Sequence, residues 1–120
     1  MLFRIDFEIG IYPDRIQVSD RRSGRFVDFR AEVPFSAQDR LIADPVYFEN
    51  ALAKALRKLM SGGFILLDAR ANVLPASLAE QDRQVVRSAL RNIGFKRIAF
   101  DETEDEQAPP RLPSSFASLF

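Results

Sequence analysis

"LPASLAEQDRQVVRSALRNIGFKRIAFDE", residues 74–102, reads as a loop, a helix and a strand in immediate succession. Ser77-Leu78-Ala79-Glu80 has the form of a capping box, in which the Ser hydroxyl accepts from an early helix N–H and the Glu carboxylate reaches back. Leu78, Val85, Val86, Ala89, Leu90 and Ile93 recur at helical spacing and supply a buried stripe, and Gly94 ends the helix. "FKRIAF", 95–100, follows as a strand. A helix delivered straight into a strand is half of a crossover unit, which puts the chain in the α/β class.

Upstream of this unit, "FILLDA", 64–69, is a continuous apolar run bounded by Gly and Arg, the pattern of a strand covered on both faces. A loop is expected between it and Pro75. Asp44-Pro45 opens the preceding helix, with Asp as N-cap and Pro at the first helical position. Phe48, Leu52, Ala55, Leu56 and Leu59 fall on one face of that helix, and Gly62-Gly63 stops it. The amino-terminal third is different. "LFRIDFEIGI", 2–11, sets Phe3, Ile5, Phe7 and Ile9 against Arg4, Asp6 and Glu8, the period of a half-buried strand. Gly10 and Tyr12-Pro13-Asp14 mark a turn, "RIQVSD" (15–20) a second strand, "RRSG" a hairpin tip, and "RFVDFRAEV" (25–33) a third strand.

The expected order is therefore βββ-α-β-α-β: three meander strands joined to two crossover-connected strands in a mixed five-stranded sheet, a single domain over residues 1–103. Residues 104–120 carry an acidic run and prolines and are expected to form a flexible tail, whose apolar end at Phe116, Leu119 and Phe120 either docks or stays free.

Composition narrows the chemistry. Lys+Arg (17) balances Asp+Glu (17), so no global field draws the chain to nucleic acid or anionic lipid. The absence of Cys and His excludes disulfides, thiol nucleophiles, Ser-His triads and the usual zinc sites. No apolar run approaches the ~18 residues of a membrane span and no export signal opens the chain, so a soluble cytoplasmic protein without nucleic-acid partners is expected.

Three stretches resemble the actin-like ATPases, and among them the bacterial cell-shape actin homologue MreB. "RLIADPVYFENALAKALRKL" (40–59) is similar to that family's Val-Ile-Ala-Asp phrase and the Leu-bearing helix after it, most closely at Leu41-Ile42-Ala43-Asp44. Residues 74–102 are similar to its Val-Pro-small-small-Ile-Thr-Glu-x-Glu-Arg-Arg helix, Gly-Ala-Arg cap and strand closing on Glu-Glu-Pro. "FEIGIYPDRIQV" (7–18) is similar to its Asp-x-Gly-Thr-x-Asn loop and following strand. The resemblance runs through most of residues 5–103. It implies an actin-like or ribonuclease H-like fold reduced to the core of one subdomain, with a short connector at 33–40 where the family inserts a second subdomain.

In that family ATP and Mg²⁺ lie between two halves whose hairpin N–H groups face the phosphates. The resemblance places the vestigial nucleotide candidates at Glu8, Gly10 and Asp82. Ile11 and Pro13 stand where the family has a hydroxyl and an Asn, which removes phosphate donors. Asp82 stands where an acidic residue helps place the attacking water, and Ala79 where there is a Thr. Each has a plainer reading: Glu8 and Gly10 serve a strand end and a turn, while Glu80 completes the capping box and Asp82 suits the positive end of the helix dipole.

The function expected is a non-catalytic protein-interaction or assembly module related to MreB, without cofactor, acting through a protein partner or self-association. One alternative is a minimal ATP- and Mg²⁺-binding protein completed across a homo-oligomer. Another is a ribonuclease H-like metal-dependent nuclease using Asp6, Glu8 and Asp68 on strands, for which Arg21, Arg22 and Arg25 alone would have to supply the substrate track. Phe26, Phe29, Phe35 and Phe48 lie where the missing subdomain would attach and are the interface candidates, together with the edge of the third strand.

Overall fold

β1 (Arg4–Tyr12) is the strand on which the sheet is assembled: it pairs antiparallel with β2 (Arg15–Asp20) and parallel with β4 (Asp68–Leu74) in a computed structural model that describes residues 4–60, 68–101 and 104–105. β3 (Phe26–Arg30) continues the meander outward, β5 (Arg97–Phe100) adds in parallel to β4, and β6 (Glu104–Asp105) adds antiparallel to β5. The sheet order is β3-β2-β1-β4-β5-β6, mixed in direction, with helices α1 (Pro45–Leu59) and α2 (Glu80–Ile93). The chain thus runs βββ-α-β-α-β as its periodicities predict, with one short strand more.

Strand alternation decides where the core lies. Ile5, Phe7, Ile9 and Ile11 of β1, Ile16 and Val18 of β2, Phe29 of β3, Ala69, Ala71 and Val73 of β4, and Ile98 and Phe100 of β5 are all buried in one cluster with the inner faces of both helices. α1 and α2 contact each other, so both cover this single face of the sheet. Asp6, Glu8, Gly10 and Tyr12 point to the opposite face, with Arg70, Asn72 and Leu74 beside them in register.

The start of α1 follows the sequence expectation. The Asp44 carboxylate accepts from the Tyr47 N–H at 3.0 Å, and Pro45 occupies the first turn. Phe48, Leu52, Ala55, Leu56 and Leu59 all lie in the core. The expected Gly62-Gly63 stop lies outside the described residues, and the helix gives way at Met60.

Two local expectations are corrected. The fourth strand is described over Asp68–Leu74, so "ARANVL" is strand and not loop; of the strand expected over 64–69, residues 64–67 lie outside the described residues. Small residues at Ala69 and Ala71 let the helical layer approach closely, which outweighs the weak strand propensity of Ala. Ser77 does not cap α2. The helix begins one residue after Ala79, which makes no side-chain cap, and the loop before it is fastened by Arg83, which donates to the carbonyls of Leu78 (3.2 Å) and Ala76 (2.7 Å) without capping the helix N–H groups. Gly94 at φ 131° does end the helix, a conformation that favours glycine. Glu104 and Asp105, assigned by composition to the tail, pair with Phe100 and Ala99 after a turn at Asp101, φ 56°.

The β1–β2 hairpin is tied to the connector before α1. Asp14, at φ 53°, accepts through Oδ1 from the N–H groups of Phe35 and Ser36, each at 2.8 Å, and its own N–H donates to Ser36 Oγ at 3.0 Å. Substitution Asp14→Ala leaves two N–H groups unanswered and puts a Cβ residue without a polar side chain at positive φ. It is expected to lower stability by about 2–3 kcal/mol in urea unfolding; a loss under ~0.5 kcal/mol would show that water replaces the carboxylate.

Candidate functional site

The three nucleotide candidates are built on different parts of the fold. Glu8 and Gly10 are both interior residues of β1, paired on either side: Glu8 with Ser19 and Asn72, Gly10 with Gln17 and Leu74. Neither is at a strand end or a turn, which corrects both the phosphate-loop reading and the plainer one. The turn is formed instead by Pro13 and Asp14, and Asp14 is committed to Phe35 and Ser36. Tyr12 folds back over Gly10, so that a Cβ there would lie 2.9 Å from Tyr12 Cε2. Glycine at this position makes room for an aromatic ring of the chain itself.

Asp82 lies in the other layer. Leu78, Asp82, Val86 and Leu90 follow one another at a spacing of four and are all buried, so the carboxylate sits on the core stripe of α2. Its side chain is only 8% exposed; Arg40 Nη2 stands 4.0 Å from Oδ1, and that oxygen accepts no hydrogen bond. Glu80, the other acidic residue of the first turn, is exposed. Glu8 and Gly10 face away from the helices while Asp82 is inside the helical layer, so the structure does not bring them together. A hollow of about 400 Å³ beside Arg40, between the two helices, is lined by Pro45, Glu49, Gln81, Gln84, Val85 and Ser88.

The carboxylates of the nuclease alternative are only partly assembled. Asp6 and Glu8 share the helix-free face, as the alternation predicts, and Asp68 stands in register with Arg4, four residues along β4 from Glu8's partner Asn72. Asp6 is taken up by cations: Arg70 Nη1 lies 3.4 Å and Arg21 Nη1 3.9 Å from Oδ1. No group of three or more His, Cys, Asp or Glu side chains capable of holding a metal occurs among the described residues.

The aromatic interface candidates separate clearly. Phe29, Phe35 and Phe48 are core residues, and Phe35 meets Phe48 edge to face with centroids 5.2 Å apart. Only Phe26, 58% exposed, remains on the surface. Phe content alone does not reveal which rings the core takes. Three further exposed apolar side chains, Val33, Val46 and Tyr47, lie just beyond β3 and in the first turn of α1. They were discernible for Val46 and Tyr47, which fall off the buried stripe of α1. A cavity of about 90 Å³ between β3 and α1 is lined by Phe29, Ala31, Val33, Tyr47, Asn50 and Lys54 among others. Tyr47, Asn50 and Lys54 share one helical face, and Lys54 Nζ reaches Glu32 at 3.3 Å. On the other face of the same strand Arg15 grips Asp28 through Nε at 2.7 Å and Nη2 at 2.6 Å. Among the described residues no helix is long and apolar enough to cross a membrane.

The hydrogen bonds from Arg15 and its charge hold the Asp28 carboxyl below its ordinary value. A depressed carboxylate pKa contributes stability that is present above the unfolded-state value and is lost as pH falls through the folded-state value. Asp28 is therefore expected to titrate at lower pH than exposed aspartates by NMR, and Arg15→Gln to return it to the ordinary range. Asp82→Leu replaces a buried carboxylate that lacks a hydrogen bond at Oδ1, leaving the half-exposed Arg40 to water. It is expected to raise stability by about 1 kcal/mol in urea unfolding; an equal loss would identify the Arg40 contact as a working ion pair.

No known protein-family model matches the chain, and no match to it is found among curated proteins.

Proposed function

We propose that this chain is a non-catalytic protein-interaction or assembly module, built on an actin-like core related to the bacterial cell-shape actin MreB and working in the cytoplasm. The observation that carries the reading is the exposure of large apolar side chains on both sides of the β3 rim, Val33 and Tyr47 lining one hollow between β3 and α1 and Phe26 standing on the helix-free face. Exposed apolar groups bordering a sheet rim of a small domain favour association with protein. The meander of β1–β3 beside the parallel β4 and β5 is compatible with an actin-like or ribonuclease H-like core and supports the reading to that extent. The separation of Glu8 and Gly10 from Asp82, with Tyr12 over Gly10, favours the absence of catalysis.

The alternative of an ATP-binding protein completed by oligomerisation has one observation in its favour, the buried Asp82 carboxylate with an oxygen that accepts no hydrogen bond. Calorimetric titration of the purified chain with ATP at millimolar Mg²⁺ separates the two. No saturable heat is expected. Binding of micromolar affinity that is lost in Asp82→Asn would replace the non-catalytic reading with the nucleotide one.

A further inference from the structure

The hydrogen-bond parity of β3 is fixed at both of its ends. Ala31 N–H donates to the Asp14 carbonyl at 2.9 Å and Asp20 N–H to the Arg25 carbonyl at 2.8 Å. In an antiparallel pair, residues that exchange backbone bonds recur every second position, so Ile16↔Phe29 and Val18↔Val27 are the exchanging pairs between β2 and β3. The N–H and C=O groups of Phe26, Asp28 and Arg30 consequently point away from β2, at the rim of the sheet. Their side chains stand on the helix-free face, and all three residues are exposed. The rim therefore offers a row of backbone donors and acceptors flanked by an aromatic, a carboxylate and a guanidinium in that order.

We propose that β3 pairs antiparallel with β3 of a second copy of this chain about a two-fold axis at Asp28, joining two sheets into one. The proposal rests on the assembly-module reading and specifies its partner and register. It sets Phe26 opposite the partner's Arg30, Asp28 opposite the partner's Asp28, and Arg30 opposite the partner's Phe26, with about six backbone hydrogen bonds across the seam. The row is self-complementary only in this arrangement. Each guanidinium lies over an aromatic ring, a favourable cation–π geometry. The two facing carboxylates are each already bound by two hydrogen bonds from an Arg15, and Arg30 of the opposite copy lies diagonally next to each. Shifting the register by two residues would strip Arg30 of its ring and set Phe26 against Asp28. On the helix side, the exposed Val33 and Tyr47 border the same rim and are drawn towards the seam.

The test uses the full chain and light scattering across a concentration series. The wild type is expected to pass from monomer to dimer. Phe26→Arg places a like charge opposite the partner's Arg30 and is expected to weaken dimerisation roughly tenfold, whereas Phe26→Glu supplies an anion there and is expected to keep it. Phe26 is exposed, so neither change threatens folding. Because the chain has no cysteine, Asp28→Cys reports on its own symmetry mate: mild oxidation is expected to give a covalent dimer, and the exposed Ser88→Cys to give none. A wild type that stays monomeric at all concentrations overturns the pairing while leaving a module that binds a different protein. Equal weakening by Phe26→Arg and Phe26→Glu, or cross-linking no faster for Asp28→Cys than for Ser88→Cys, overturns the register. Saturable ATP binding would instead overturn the underlying reading, so the two failures are distinct.

Discussion

One-sided burial of β1 is the constraint from which the rest of the molecule follows. Its odd-numbered residues, Ile5, Phe7, Ile9 and Ile11, are enclosed, while its even-numbered residues face away from the helices. Because β1 pairs with β2 on one side and β4 on the other, its register sets which face every neighbour must bury. Both helices must then lie on the same side, and the opposite side carries the partly exposed Asp6, Glu8 and Arg70 around a buried Asn72. A slip of one residue would put Asp6 and Glu8 under the helices, a burial cost no contact in the structure offsets.

That division also explains the fate of the chemically suggestive residues. A site that joins a β1 carboxylate to the start of α2 needs the two to meet beyond the carboxyl ends of the strands, where crossover loops converge. Glu8 is set back within the strand and Asp82 has turned into the core. The loop between β4 and α2 is meanwhile fastened by Arg83 to its own carbonyls. Arg83 and Arg87 also lie over the ring of Phe100, with centroid distances of 5.1 and 5.4 Å, binding the start of α2 to the end of β5. The region is organised to hold its own parts together.

How much of this was legible in the sequence varies with the range of the interaction responsible. Alternation in β1, the Asp44-Pro45 helix start and the stripe Phe48, Leu52, Leu56 are local signals, and they gave the correct elements. The burial of Asp82 was missed, since a carboxylate in the first turn reads as a partner of the helix dipole, although it continues the four-residue spacing of Leu78, Val86 and Leu90. The run of β4 through residues 70–74 was not legible either, because Ala69 and Ala71 are chosen by the closeness of the helices and not by strand propensity. Ser77 does not cap because the helix starts at Glu80 and Ala79 takes the N-cap position, a shift of start that the capping-box pattern does not disclose. Nor does any local pattern tell Phe26, which is exposed, from Phe29, which is core; the difference comes from the pairing of β3 with β2 and the packing of α1 above it.

The two rims of the sheet are unequal. β3 presents five residues and β6 only two, the acidic pair Glu104–Asp105. A sheet with two comparable free rims can add copies head to tail without limit, which is the geometry of a fibre. Among the described residues β3 is the one rim long enough to template another strand, and through it each molecule has one valence. In the proposed two-fold pairing, growth through that rim would close upon itself after one step, so the same asymmetry that leaves β3 open would guard against runaway polymerisation.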